Sequence, residues 1–227
     1  MPLDSSSVLG LFAKHPLPGF VKSRLAGETS AEWATGVAEA FLFDLTDRLR
    51  QVLAHKVLVY APADAKAYFT ELAGKEFQST VQCDGDLGTR MSHFVQSQFL
   101  NDKRSVVLVG MDSPTIPLSF IEDSFDALTA FDVVIGPATD GGYYLIGYRR
   151  WIPELFQNIS WGKESVLAET IHRCQSVGAT LRVLPPWYDV DTLADWRMLQ
   201  GHLAALQLAG QPVELPRTAK LADWPST

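Results

Sequence analysis

The chain has 227 residues, 47% of them hydrophobic and 20% charged, a composition that fits one globular domain with a sizeable core and excludes disorder and collagen-like repetition. Its formal charge of −7 argues against a general polyanion-binding surface, so nucleic acid is not an expected partner and any recognition of phosphate has to be local.

Apolar runs of strand length recur along the chain at 8–13, 57–61, 80–83, 106–109, 133–135, 143–148 and 181–184. Several are continuously apolar, as expected of strands covered on both faces in a largely parallel sheet. Between them lie segments of helical period. The first has a start signal, Thr29 with Glu32, a capping-box pattern ahead of Trp33, Val37, Phe41 and Leu45. Others run over 63–73, 88–100, 118–130, 164–177 and 192–206, each about the length of a crossover. The pattern predicts an α/β fold, a three-layer α/β/α sandwich on a mostly parallel central sheet. Residues 1–210 are expected to form a single domain. Residues 211–227 carry three prolines and no sustained period, and are expected as a tail packed across the surface or partly disordered. No apolar run reaches the roughly 18 residues needed to span a bilayer, and Met1-Pro2-Leu3-Asp4 does not open a signal peptide, so a cytoplasmic location is expected. Cys83 and Cys174 are too few for a disulfide scaffold, and the five histidines show no metal-ligand spacing.

In a parallel α/β sheet the loops leaving the carboxyl ends of the strands line the ligand crevice. The loop after the first run contains Lys14, Pro16, Pro18, Gly19, Lys22 and Arg24. Two prolines stiffen it, Gly19 permits a tight turn, and the cations make it a candidate phosphate clamp, although it matches neither a Walker loop nor G-x-G-x-x-G. Asp84-Gly85-Asp86-Leu87-Gly88-Thr89-Arg90-Met91 is a glycine-bracketed turn into a helix, whose amides could face an anion or a nucleobase; Gly88 and Arg90 are its candidates. Asp112 ends the most apolar run, where a carboxylate is costly unless it is paired or binds a metal; the competing role is helix capping. In Asp140-Gly141-Gly142-Tyr143-Tyr144 the paired glycines allow close approach to a ligand and Tyr143 can stack or hydrogen-bond, while an Asp-Gly hairpin turn explains the same residues. Asp189 and Asp191 lie on one side of an extended segment, a hard oxygen site suited to Mg²⁺ or Mn²⁺, or one of them caps the helix starting near Thr192.

Taken in order, Phe12-Ala13-Lys14, Pro18-Gly19, Lys22-Ser23-Arg24-Leu25, Asp86-Leu87-Gly88-Thr89-Arg90-Met91, Gly110-Met111-Asp112-Ser113-Pro114, Gly136-Pro137, Asp140-Gly141-Gly142-Tyr143-Tyr144 and Asp189-Val190-Asp191-Thr192 resemble a bacterial family of glycosyltransferase-A-like proteins. That family is of the nucleotide-diphospho-sugar transferase or arsenosugar-biosynthesis glycosyltransferase type, and is distantly similar to molybdenum-cofactor and phospholactate guanylyltransferases. The resemblance implies a Rossmann-like nucleotide-binding fold, with Lys14, Lys22 and Arg24 in the nucleotide-phosphate loop, Asp112 as the strand-end metal aspartate and Asp191 as a second ligand.

The expectation is metal-dependent transfer of a glycosyl group from a nucleotide-diphosphate sugar to a small acceptor. Asp112 and Asp191 would hold Mg²⁺ or Mn²⁺, Lys22 and Arg24 would steady the phosphates, and Asp140 with Tyr143 would face the sugar or acceptor. Asp140 or Asp189 could act as general base. The alternatives are nucleotidyl transfer from a nucleoside triphosphate to a phosphorylated acceptor, and a non-catalytic nucleotide-binding protein.

Overall fold

Strands that are apolar on both faces require cover on both, and the helices supply it. The structure, a computed structural model, describes residues 6–211 and 213–221. Of the expected domain and tail, residues 1–5, 212 and 222–227 lie outside the described residues. Each of the seven apolar runs contributes to a strand, that at 80–83 only through Thr80 and Val81: β1 (Ser7–Lys14), β2 (His55–Ala61), β3 (Phe77–Val81), β4 (Ser105–Gly110), β5 (Val133–Pro137), β6 (Tyr143–Tyr148) and β7 (Leu181–Val183). The helices are α1 (Ser23–Glu28), α2 (Ala31–Leu49), α3 (Lys66–Ala73), α4 (Leu87–Leu100), α5 (Leu118–Ala127), α6 (Val166–Ser176) and α7 (Leu193–Leu208).

Among the described residues the strands form one sheet in the order β3-β2-β1-β4-β6-β5-β7. All neighbours pair in parallel except β6, which runs antiparallel to both β4 and β5. One face packs Leu42 and Leu45 of α2, Phe69 of α3 and Ile121 of α5; the other packs Met91 and Phe94 of α4 and Cys174 of α6. The chain therefore has the three-layer, mostly parallel, Rossmann-like sandwich that its apolar pattern predicts. A third cluster joins Leu25 of α1, Phe41 of α2, Val190, and Trp196 and Leu199 of α7, beside the carboxyl ends of β1 and β4.

The helix starts differ from expectation in two places. Thr29 closes α1, donating its hydroxyl to Leu25 O at 2.6 Å, and Ser30 caps α2 by accepting from Trp33 N at 3.1 Å. The Thr29–Glu32 box is thus displaced by a short helix that the loop's prolines concealed. At α7, Thr192 and Asp195 form a reciprocal capping box, so neither Asp189 nor Asp191 is spent on capping. In the tail, Arg217 N and Thr218 N donate to the buried Asp44 carboxylate of α2 at 3.0 and 2.8 Å. No helix among the described residues is long and apolar enough to cross a membrane.

Asp132 fastens the far edge of the sheet. It accepts from Arg149 Nη2 at 2.8 Å, Arg150 Nε at 3.1 Å and Thr180 N at 3.0 Å, and the charged hydrogen bonds, Arg149 first, hold its pKa far below the ordinary carboxylate value. A depressed pKa gives stability that is present above the unfolded value near 4 and lost as pH falls. Replacing Asp132 by Asn should cost about 1–2 kcal/mol at neutral pH after allowance for screening of the exposed arginines. Urea unfolding should show this difference shrinking as the pH is lowered below about 4.

Candidate functional site

The ends of β1 and β4 lie side by side, with Phe12 opposite Gly110, so the loops that follow them face one another. The β1 loop turns at Gly19, whose φ is +81°, and enters α1 through Lys22, which adopts a left-handed backbone (φ 49°, ψ 42°). For a residue with a Cβ this conformation is uncommon, and it persists where surrounding contacts determine it. The Lys22 carbonyl accepts from Ala26 N at 2.8 Å as α1 begins, and its side chain is held by ionic contacts. The Lys22 side chain is 1% exposed, and its Nζ donates to Asp112 Oδ1, to Val190 O at 2.6 Å and to Asp191 Oδ1 at 3.1 Å. It also lies 5.3 Å from the centre of the Phe41 ring. Burial alone lowers a lysine pKa, but the two carboxylates outweigh it and the net shift is upward. Lys22 is therefore a buried cation. Arg24 binds the other oxygen of Asp191.

Asp191 reaches Asp112 across 79 residues of chain because the segment before α7 is fastened to the sheet. Trp187 N donates to Pro137 O at 3.0 Å, Thr139 N to Trp187 O at 3.1 Å, and Val190 N to Asp112 O at 2.9 Å. The two carboxylates expected to form a metal site are thus brought together, and the cation between them is the Lys22 ammonium. Asp112 caps no helix.

A cavity of about 670 Å³ opens beside this network. Among the described residues its wall includes the cations Lys14, Lys22, Arg24 and Arg90, the carboxylates Asp86, Asp112 and Asp191, and the aromatic rings of Phe20 and Trp161. At the β3–α4 end, Arg90 donates to Gly85 O at 2.9 Å and to Gln82 Oε1 at 3.3 Å, while Gln82 donates to Val59 O at 2.8 Å. The Asp86 carboxylate accepts from Thr89 N at 2.8 Å, so this helix start, expected to face an anion, already carries a carboxylate cap. Gly88 does not face the cavity directly. A Cβ there would lie 2.2 Å from Trp161 Nε1, so glycine lets the indole lie against α4 and form part of the wall. Trp161 and Gln82 were not anticipated as site residues; each is a single side chain with no repeated pattern around it.

A second acidic surface adjoins Asp112. Ser113 donates its hydroxyl to Asp189, and loss of water, reinforced by the charges of Asp112, Asp140 and Asp191, pushes the Asp189 pKa up to about 7 against the pull of Ser113. The glycines beside Asp140 serve the turn. Gly142 N donates to Asp140 Oδ1 at 2.9 Å, and Gly141, at φ +88°, lies so close to Glu164 that a Cβ would meet its carbonyl oxygen at 2.1 Å. The Tyr143 hydroxyl, expected toward a ligand, is instead buried beside Thr170 and Cys174 in the α4/α6 layer, which raises its pKa. Tyr143 stands at the start of β6 with its ring in that layer, away from the cavity. Among the described residues no group of three or more His, Cys, Asp or Glu is arranged to hold a metal ion.

Gly141→Ala should destabilise the fold by at least about 2 kcal/mol, because both the positive φ and the Glu164 backbone resist a methyl group. Denaturant melts check this. A variant of wild-type stability would return Gly141 to the ligand-contact role.

The family model described as "Uncharacterized protein conserved in bacteria (DUF2064)" matches residues 45–163, just over half of the chain. No curated protein matches it. A solved structure from Desulfovibrio desulfuricans G20, named "putative nucleotide-diphospho-sugar transferase", is 35% identical over 86% of each chain, with a TM-score of 0.82. More distant structures share the fold. A CMP:2-keto-3-deoxy-manno-octonic acid synthetase complexed with CTP is 14% identical over 88% of this chain and 99% of its own, with a TM-score of 0.54. A protein of Mycobacterium tuberculosis H37Rv complexed with manganese is 15% identical over 86% and 97%, with a TM-score of 0.52. By the span of the family match, this chain belongs to the DUF2064 family.

Proposed function

We propose that the chain is a metal-dependent transferase that holds a nucleotide-diphosphate sugar in the 670 Å³ cavity and moves its glycosyl group to a hydroxyl of a small acceptor. The observation that carries this reading is the convergence of Asp112 and Asp191 with Lys22 and Arg24 on one wall of that cavity. A donor diphosphate needs cations, and a divalent ion needs hard oxygen ligands; this wall supplies both. The name of the Desulfovibrio relative supports the donor class, and the manganese-bound structure of the same fold supports the ion.

The donor set fits Mg²⁺ or Mn²⁺. Asp112 and Asp191 already share one cation in Lys22, and their side chains remain 41% and 25% exposed toward the cavity, which leaves room for water and phosphate oxygens as further ligands. When bound, the ion would neutralise charge on the departing diphosphate. The remaining chemistry belongs to the chain. Lys14, Lys22, Arg24 and Arg90 bind phosphate oxygens, Arg24 being suited to bidentate contact. On the other side of Asp112, Asp189 or Asp140 accepts the proton of the acceptor hydroxyl as its oxygen bonds to the sugar carbon. The bond from that carbon to the diphosphate breaks, and the electron pair leaves with the nucleoside diphosphate.

Nucleotidyl transfer is the second reading, favoured by the CTP complex of the same fold. Asp140 and Asp189 weigh against it, because carboxylates around Asp112 would repel a phosphorylated acceptor and suit an uncharged hydroxyl. The two reactions are separated by their products. With Mn²⁺ and a panel of sugar nucleotides and nucleoside triphosphates, nucleoside diphosphate should be released from a sugar nucleotide; pyrophosphate release from a triphosphate would replace this reading with the second.

Asp112→Asn should lower kcat/KM by about 10²–10³-fold with an unchanged circular-dichroism spectrum. Wild-type turnover in that variant would remove Asp112 from the mechanism.

A further inference from the structure

The ammonium of Lys22 stands where the two candidate metal ligands meet. All three of its donors have acceptors, two of them the Oδ1 atoms of Asp112 and Asp191. A Mg²⁺ or Mn²⁺ ion drawing on those same oxygens at about 2.1 Å would stand next to the ammonium. Its side chain is 1% exposed, so little water is available to screen the repulsion between the two cations. Ion and ammonium therefore cannot both be bound there at full strength. The lysine has somewhere to go, since Lys22 lines the cavity and its chain is flexible.

We infer that Lys22 is a place-holder for the divalent cation: ammonium and ion compete for the Asp112–Asp191 pair, so the bare ion binds weakly and binds well once a phosphate-bearing donor draws the ammonium away. This rests on the reading of Asp112 and Asp191 as metal ligands, and adds to it an order of events. Lys22 has two posts, on the acids before the donor arrives and on its phosphates afterwards. Metal and donor thereby enter cooperatively, and by linkage each strengthens the other's binding by the same factor.

The test uses the full chain and Mn²⁺ as the probe, with the free ion followed by electron paramagnetic resonance, so that no turnover is needed. Lys22→Met removes the competing charge at nearly constant volume and should bind Mn²⁺ at least about tenfold more tightly than wild type. Inorganic pyrophosphate, with its own chelation subtracted in a protein-free control, should strengthen Mn²⁺ binding to wild type and do so much less for the variant. Adding Asp112→Asn to Lys22→Met should abolish the gain. Lys22→Gln, which keeps a neutral donor toward Val190 O, gives the same reading if the methionine variant is too unstable, and Mn²⁺ should raise the melting temperature of either neutral variant more than that of wild type. Equal and measurable Mn²⁺ affinity in wild type and variants would overturn the competition while leaving the metal reading intact. No Mn²⁺ binding to any of them, with or without pyrophosphate, would overturn both.

Discussion

A charge withdrawn from water has to be answered by charges or dipoles nearby, and the end of the sheet is organised around that requirement at Lys22. Its ammonium is held by two carboxylates and a carbonyl from two separate stretches of chain, and a phenyl ring lies beside it. Removing either acid would leave the cation with one carboxylate, and removing the cation would take the Lys22 ion pair from Asp112 while Asp191 kept Arg24. The fold meets the requirement with apolar packing. Leu25, Phe41, Val190, Trp196 and Leu199 bring α1, α2, α7 and the 187–191 segment together in one cluster. That cluster fixes both the lysine and Asp191, while the hydrogen bond from Val190 N to Asp112 O sets the register between them.

This arrangement divides the region into two electrostatic territories. On the cavity side, Lys14, Lys22, Arg24 and Arg90 outnumber the carboxylates; on the far side of Asp112, Asp140 accepts from Gly142 N and Asp189 from the Ser113 hydroxyl, and the charges of Asp112, Asp140 and Asp191 push the Asp189 pKa up. A molecule with an anionic half and an uncharged, hydroxyl-rich half matches that division. A nucleotide-linked sugar has those two halves, and the boundary between them lies at the bond that glycosyl transfer would break.

Much of this was legible in the sequence, and the reason differs by element. The strands were legible because buried parallel strands must be apolar on both faces, a pattern that runs such as Val106-Val107-Leu108-Val109 display without context. Asp112 stood out because a carboxylate at the end of such a run needs a partner, and Asp191 because alternation puts it on one side of an extended segment with Asp189. What stayed hidden was the partner: Lys22 is separated from the acids by 90 and 169 positions, and a left-handed backbone at lysine leaves no compositional trace. Tyr143 was misdirected because a tyrosine after paired glycines looks the same whether its ring faces a ligand or the helix layer behind the sheet. Trp161 depends on a missing side chain at Gly88, a relation between two distant residues that neither announces alone.

The antiparallel course of β6 has a mechanical meaning. Because β6 enters the sheet at the edge where its neighbours leave it, the short turn carrying Asp140 belongs to the same hydrogen-bonded lattice as the strand leading to Asp112. Sliding one acid past the other would require whole rungs of that lattice to exchange partners, with every side chain on β6 changing face for each single step. The loop between β1 and α1 is tied to β2 at its start by His15 N to Ala61 O, turns on itself through Leu17 N to His15 O and Phe20 N to Leu17 O, and is held at its end by the Lys22 ammonium. The separation of Asp140 from Asp112, by contrast, is set by backbone pairing, and any adjustment between them is left to their side chains.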